Sequence, residues 1–110
     1  MQRSKMKTYL GFCIRSGKLV FGVDNIEKQR KGVALLIADG AIGDSSRKQL
    51  FSNRERLGCP LVFTGDGVLG ELIDRPAVKA AAVKEPNLAA AILSEAACDA
   101  QFKIYSGGEN

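Results

Sequence analysis

Glycines 65, 67 and 70 fall in the run Thr64-Gly65-Asp66-Gly67-Val68-Leu69-Gly70, spaced as G-x-G-x-x-G. Such a loop lets backbone amides approach a phosphate, so the first chemistry to weigh is nucleotide binding. The context argues for a plain strand-to-helix turn instead. The run follows the third expected strand, not the first. It does not complete G-x-x-x-x-G-K-[ST], and the acidic residue expected about 20 positions later falls at Glu85, beside Pro86. Asp39, Asp44 and Asp66 also follow expected strands, where α/β sheets place ligands, but capping and turn roles account for each. The chain has no histidine, so it lacks the commonest general base and zinc ligand, and Ser-His and Cys-His dyads are excluded. Cys13, Cys59 and Cys98 are odd in number and lack metal-site spacing, which points to buried or free thiols in a reducing compartment. The expectation is a chain with no catalytic constellation, no metal and no cofactor.

The second concentration of chemistry is cationic. Gly22-Val-Asp-Asn-Ile-Glu-Lys-Gln-Arg-Lys31 reads as a turn entering a short helix, with Asp24 or Asn25 able to cap it and Lys28, Arg30 and Lys31 following. Amides and cations together suit an anionic partner, and RNA is the candidate; an ordinary capped surface helix is the alternative. The net charge of +4 is unevenly spread. Residues 1–31 carry eight Lys/Arg against two carboxylates, whereas residues 63–110 carry four against seven. A basic N-terminal third on an acidic remainder describes a face that attracts polyanions, with solubility as the simpler account.

The elements that must position these residues alternate. Met6, Tyr9, Leu10, Cys13 and Ile14 recur at steps of three and four, predicting a helix over 3–16 that stops at Gly17. Residues 18–22 predict a strand, 24–31 a helix, and the apolar run 33–38 a strand buried on both faces. A polar helix over about 45–57 follows, packed through a narrow stripe and otherwise solvated. Then come a strand at 61–64, a short helix from Val68 to Ile73, a strand over 77–83 and a helix over 87–97. Phe102, Ile104 and Tyr105 are expected to dock as a short segment, and 106–110 to form a flexible tail. Length and alternation predict one α/β domain with a four-stranded sheet covered by helices on both faces. No apolar run approaches the ~18 residues of a membrane span, and the basic N-terminus leads into no signal core, so a cytoplasmic protein is expected.

Four places in order along the chain resemble the small bacterial branch of the L7Ae/L30e family of ribosomal-protein-like RNA binders. They are Leu10-Gly11 with Arg15-Ser16-Gly17-Lys18-Leu19-Val20-Phe21-Gly22, Leu35-Leu36-Ile37-Ala38-Asp39, Cys59-Pro60-Leu61-Val62-Phe63 with Leu69-Gly70, and Asp74-Arg75-Pro76-Ala77-Val78 leading into Ala80-Ala81-Ala82-Val83. The resemblance spans about residues 8–93. It implies a three-layer α-β-α sandwich, L30e-like, over residues 1–105. It also implies non-enzymatic RNA binding, often to kink-turns, as a ribosomal or other ribonucleoprotein component. The family's binding helix opens as Gly-x-Asn-Glu-x-x-Lys. Here Gly22 matches, Asp24 stands at the asparagine position, Asn25 at the glutamate position and Lys28 at the lysine position. The family's second contact is the loop before the last strand, here Ile73-Asp74-Arg75-Pro76-Ala77, as an apolar wall beside splayed nucleotides. The segments 32–34 and 70–74 are some residues short for the family.

The expected partner is therefore a structured RNA, an rRNA or mRNA element, with a place on the ribosome and no membrane, bound by a monomer. Lys18, Lys28, Arg30 and Lys31 would meet phosphates, and Asp24 and Asn25 the bases. Two alternatives stand beside this reading. One is a protein-interaction module on the same fold, which the altered Gly22–Lys28 motif favours. The other is a small nucleotide-binding enzyme using Gly65–Gly70.

Overall fold

The apolar run Leu35–Ala38 forms β2, the middle strand of the sheet, and all four residues are buried. A strand covered on both faces needs apolar side chains at every position, which is why this run shows no alternation. The computed structural model describes residues 2–105, with side chains from Lys5 onward. The expected tail over 106–110 lies outside the described residues.

Leu19–Phe21 (β1), Leu61–Phe63 (β3), Ala80–Val83 (β4) and Lys103–Tyr105 (β5) complete a sheet of order β1-β4-β2-β3-β5. The β2–β3 pair is parallel, and the other three pairs are antiparallel. Five strands correct the four expected. The added strand, β5, is the segment expected only to dock. Leu61 and Val62 of β3 are fully buried, so an open edge there would strand their backbone groups away from water. Tyr105 and Ile104 sit opposite them in register.

Helices cover both faces of the sheet. Gln2–Arg15 (α1), Val68–Ile73 (α4) and Pro86–Ala97 (α5) pack Met6, Leu10, Leu69, Leu72 and Ile92 against Leu35, Ile37, Ala81 and Val83. Val23–Glu27 (α2) and Asp44–Leu57 (α3) pack Ile26 and Leu50 against Leu36, Ala38, Ala80 and Ala82. Alternate residues of β2 and β4 thus feed opposite layers, as the two-residue period of a strand requires.

Helix ends depart from expectation in three places. Helix α2 has five residues and not the eight expected. Beyond it the guanidinium of Arg56 donates to the carbonyls of Gln29 (2.6 Å), Ile26 (3.4 Å) and Glu27 (3.4 Å), taking up the helix-end acceptors. The N-caps of α2 and α3 are Gly22 and Gly43, with no side-chain cap bond, so neither Asp24 nor Asp44 caps. Helix α5 does have one: the Glu85 carboxylate accepts from Leu88 N at 2.7 Å, with Pro86 in the first turn. Helix α3 is also less solvated than its composition suggests, since Asn53 and Arg54 are buried.

Asp39 joins the two loops at the end of β2. It is completely buried. Its Oδ1 accepts from Ala41 N and Gly67 N, both at 2.9 Å, and its Oδ2 from Leu69 N at 3.2 Å. Two amides of the glycine run therefore already hold an anion, the protein's own. Gly70 has a packing role: a Cβ there would lie 2.8 Å from Pro76 Cα. The G-x-G-x-x-G spacing is accounted for by a tight turn clamped by Asp39.

Candidate functional site

Gly22 closes β1, donating its amide to Ala80 O at 2.8 Å, and its φ of 89° turns the chain into α2. That backbone conformation suits glycine and few other residues. The turn sets the start of α2 beside the approach to β4, and an open groove of about 550 Å³ lies there. Gly22, Asp24 and Asn25 form one wall, and Ala77, Val78 and Lys79 a second. Ile42, Gly43, Ser46 and Gln49, from the entrance and first turns of α3, form the third.

The groove's polar groups are distinct in kind. Asn25 Nδ2 donates to Phe21 O at 2.9 Å, which fixes the side chain and leaves its Oδ1 as an acceptor. Asp24 is exposed and adds a carboxylate. Ser46 and Gln49 can donate as well as accept. Lys79 supplies a cation from the second wall. At the side, the Arg75 guanidinium lies 4.6 Å from the centre of the Phe21 ring and donates to Ile73 O at 3.3 Å.

The fold brings together Gly22, Asp24, Asn25 and Ala77 of the expected residues. Lys28 caps the C-terminus of α2, one turn beyond Asp24, and is exposed. Lys18 lies at the far end of β1. Its carbonyl accepts from Lys84 N, whereas Gly22 pairs with Ala80 at the groove end. Lys31 precedes Gly32, whose Cβ position is 3.9 Å from Lys84 Cε, so Lys31 sits toward that far end, with Arg30 beside it in sequence. Among the described residues Lys18, Lys28, Arg30 and Lys31 make no ion pair. Ile73 is buried between α1 and α4. Asp74, in a left-handed conformation with φ 57°, pairs with Lys7 at 3.3 Å. The apolar wall expected over 73–77 therefore reduces to Pro76, packed on Gly70, and Ala77.

Sequence reasoning missed the α3 wall and Lys79. Both depend on β4 lying between β1 and β2, and alternation of elements does not give strand order. The small-residue run of β4 was visible, but its neighbours were not.

The thiols stand apart from the groove. Cys13 and Cys59 are buried, Cys98 is exposed, and all are free. Burial pushes the Cys13 thiol up to about 11, with the Glu85 carboxylate adding to the effect. Burial raises Cys59 as well, against the nearby Arg54 charge. Among the described residues no cluster of three or more Cys, Asp or Glu could share a metal ion, and no helix is long and apolar enough to cross a membrane.

No protein-family model matches the chain, and no curated protein matches it. Among solved structures, a protein of unknown function from Bacillus halodurans is similar, with a TM-score of 0.69 and 21% identity over 83% of this chain and 95% of that one. At that identity the likeness is one of fold.

Proposed function

We propose that this chain is a non-enzymatic RNA-binding protein of L7Ae/L30e type and that the groove between α2, α3 and the approach to β4 is its RNA site. The observation that carries the reading is convergence. The resemblance assigns two segments to RNA, about 50 residues apart in sequence, and Gly22, Asp24, Asn25 and Ala77 from those segments line one open groove. Lys28 and Lys79 flank it without ion pairs among the described residues. A groove of this volume admits splayed bases better than a continuous duplex, and splayed bases are the usual target of sequence-specific RNA recognition. In this arrangement Lys28, Lys79 and Arg75 meet phosphates. Asn25 Oδ1 and the Asp24 carboxylate accept from base N–H groups, and Ser46 and Gln49 add donors. The partner is a structured RNA, a kink-turn or a related bend in an rRNA or mRNA, met in the cytoplasm by a monomer.

The test is titration against a kink-turn RNA and a matched straight duplex at several salt concentrations, with Lys28→Ala and Lys79→Ala alongside. The reading expects preference for the bent RNA and affinity that falls with salt. The fall should be less steep in each variant, by ~0.7–0.9 in slope for every phosphate that the protein no longer neutralises. Equal binding to both RNAs would remove the bend from the proposal. No binding to either would remove RNA.

One observation favours a second reading. Asp24 places a carboxylate in the groove where the family pattern has a neutral amide. That charge suits a basic protein segment. Purified protein free of nucleic acid by its 260/280 nm absorbance ratio, before any nuclease, would favour this protein-interaction module on the same fold.

A further inference from the structure

A second groove, of about 520 Å³, runs between α1 and α4. Lys7, Gly11, Ile14 and Arg15 of α1 and Leu72 and Ile73 of α4 line it. Gly11 opens it: a Cβ there would meet nothing closer than Arg15 Nη1 at 3.7 Å, so the missing side chain leaves space in mid-helix. Phe12, the next residue, is 46% accessible and is the large hydrophobic side chain left exposed among the described residues. The Arg15 guanidinium lies 5.0 Å from the centre of its ring. Arg15 makes no ion pair among the described residues, whereas Lys7 neutralises Asp74 across the groove. The result is an exposed aromatic and a guanidinium without an ion pair beside a cleft of mixed polar and apolar lining, a combination on which unpaired bases stack.

One loop, the approach to β4, contributes to both grooves. Asp74 lines this one and Ala77 the other. Three peptide units join them, at most ~11 Å of chain. Arg75, between the two, turns its guanidinium onto Phe21 at the rim of the first groove. We propose that the α1–α4 groove holds an unpaired run of the same RNA, which leaves the first groove over the 74–77 ridge and stacks a base on the Phe12–Arg15 pair. This rests on the RNA reading of the first groove. It adds a platform outside the segments that the family resemblance assigns to RNA, and a preference for RNA with a single-stranded flank.

The test compares a kink-turn RNA with the same RNA carrying an unpaired extension of about six nucleotides, placed at either end of the bend. The quantity read is the ratio of the two affinities within each protein, which cancels effects on folding. The extension should tighten binding of the unaltered protein about tenfold at one of the ends. Phe12→Ala should bring the ratio close to one. Gly11→Leu should do the same by filling the groove, and it replaces a poor helix former with a good one; an unchanged far-UV circular dichroism spectrum checks that the fold is kept. Binding of the kink-turn with no gain from either extension, or a gain that survives both substitutions, would overturn the proposal while leaving the first groove intact. Absence of binding by all the RNAs would overturn both grooves as RNA sites.

Discussion

Asp39 offers the sharpest test of how the groove's supporting loops are held. Its buried carboxylate accepts from three backbone amides, two on Oδ1 and one on Oδ2. A hydrogen bond to a charged group contributes about 1.5–3 kcal/mol, and a buried donor left without a partner costs about 1–3 kcal/mol. Asp39→Ala removes the acceptor of all three bonds, so a loss of about 4.5–9 kcal/mol is expected. That is a large part of the ~5–15 kcal/mol available to a domain of this size. Asp39→Asn is more discriminating. Its one carbonyl oxygen can keep the Ala41 and Gly67 bonds, but its NH₂ then faces the Leu69 amide, donor against donor. About 2–3 kcal/mol should be lost, from one bond and its unsatisfied donor. Urea unfolding followed by far-UV circular dichroism should rank the proteins as native, then Asp39→Asn, then Asp39→Ala, at a common m-value. If Asp39→Ala lay within about 1 kcal/mol of the native protein, the clamp would not be what holds these loops.

Other expectations follow from single contacts. Gly70→Ala pushes a methyl to 2.8 Å from Pro76 Cα and 3.1 Å from Arg75 O, both backbone atoms, so a loss of about 1–3 kcal/mol should appear as a lower thermal midpoint. Arg56→Ala frees the carbonyls at the end of α2, so amides over residues 23–29 should exchange faster with solvent. Arg56→Lys should not restore them, because an ammonium cannot span several acceptors as a guanidinium does. The Cys13 thiol ionises near 9.0 when unfolded and at about 11 when folded, so the folded state keeps the proton longer and stability should fall as pH rises between those values. Cys13→Ala should flatten that alkaline slope, and an unchanged slope would assign it elsewhere. A thiol reagent at neutral pH should label Cys98 while leaving Cys13 and Cys59 untouched until the protein unfolds.

Much of the fold could be read before any coordinates. Leu35–Ala38 is apolar at every position, as a strand covered on both faces requires, and Gly32 and Asp39-Gly40 bound it at strand length. The helix stops at Gly17 and Gly58 and the turn at Gly22 rest on local backbone chemistry, which sequence reports directly. What escaped was decided by distant partners. Lys103–Tyr105 becomes a strand because β3 needs an edge partner, not because three such residues favour one. Asn53, Arg54 and Arg56 read as solvated, yet the first two are buried and the third closes α2. The two halves of the groove are legible in the sequence, but only strand order places Ser46, Gln49 and Lys79 between and beside them. Lys18 is near Gly22 in sequence, yet the extended β1 carries it to the opposite end of the sheet.

The central claim is that RNA enters the groove at the Gly22 end of the sheet. The most direct measurement is backbone amide mapping by ¹⁵N–¹H correlation spectra as a kink-turn RNA is added. The account predicts that the signals of Asn25, Ser46, Gln49 and Val78 shift or broaden, while those of Leu19 and Lys84 at the opposite end stay in place. Perturbation centred on Lys18, Lys31 and Lys84 would contradict it, since the anion would then be meeting the far basic end and the groove would be vacant.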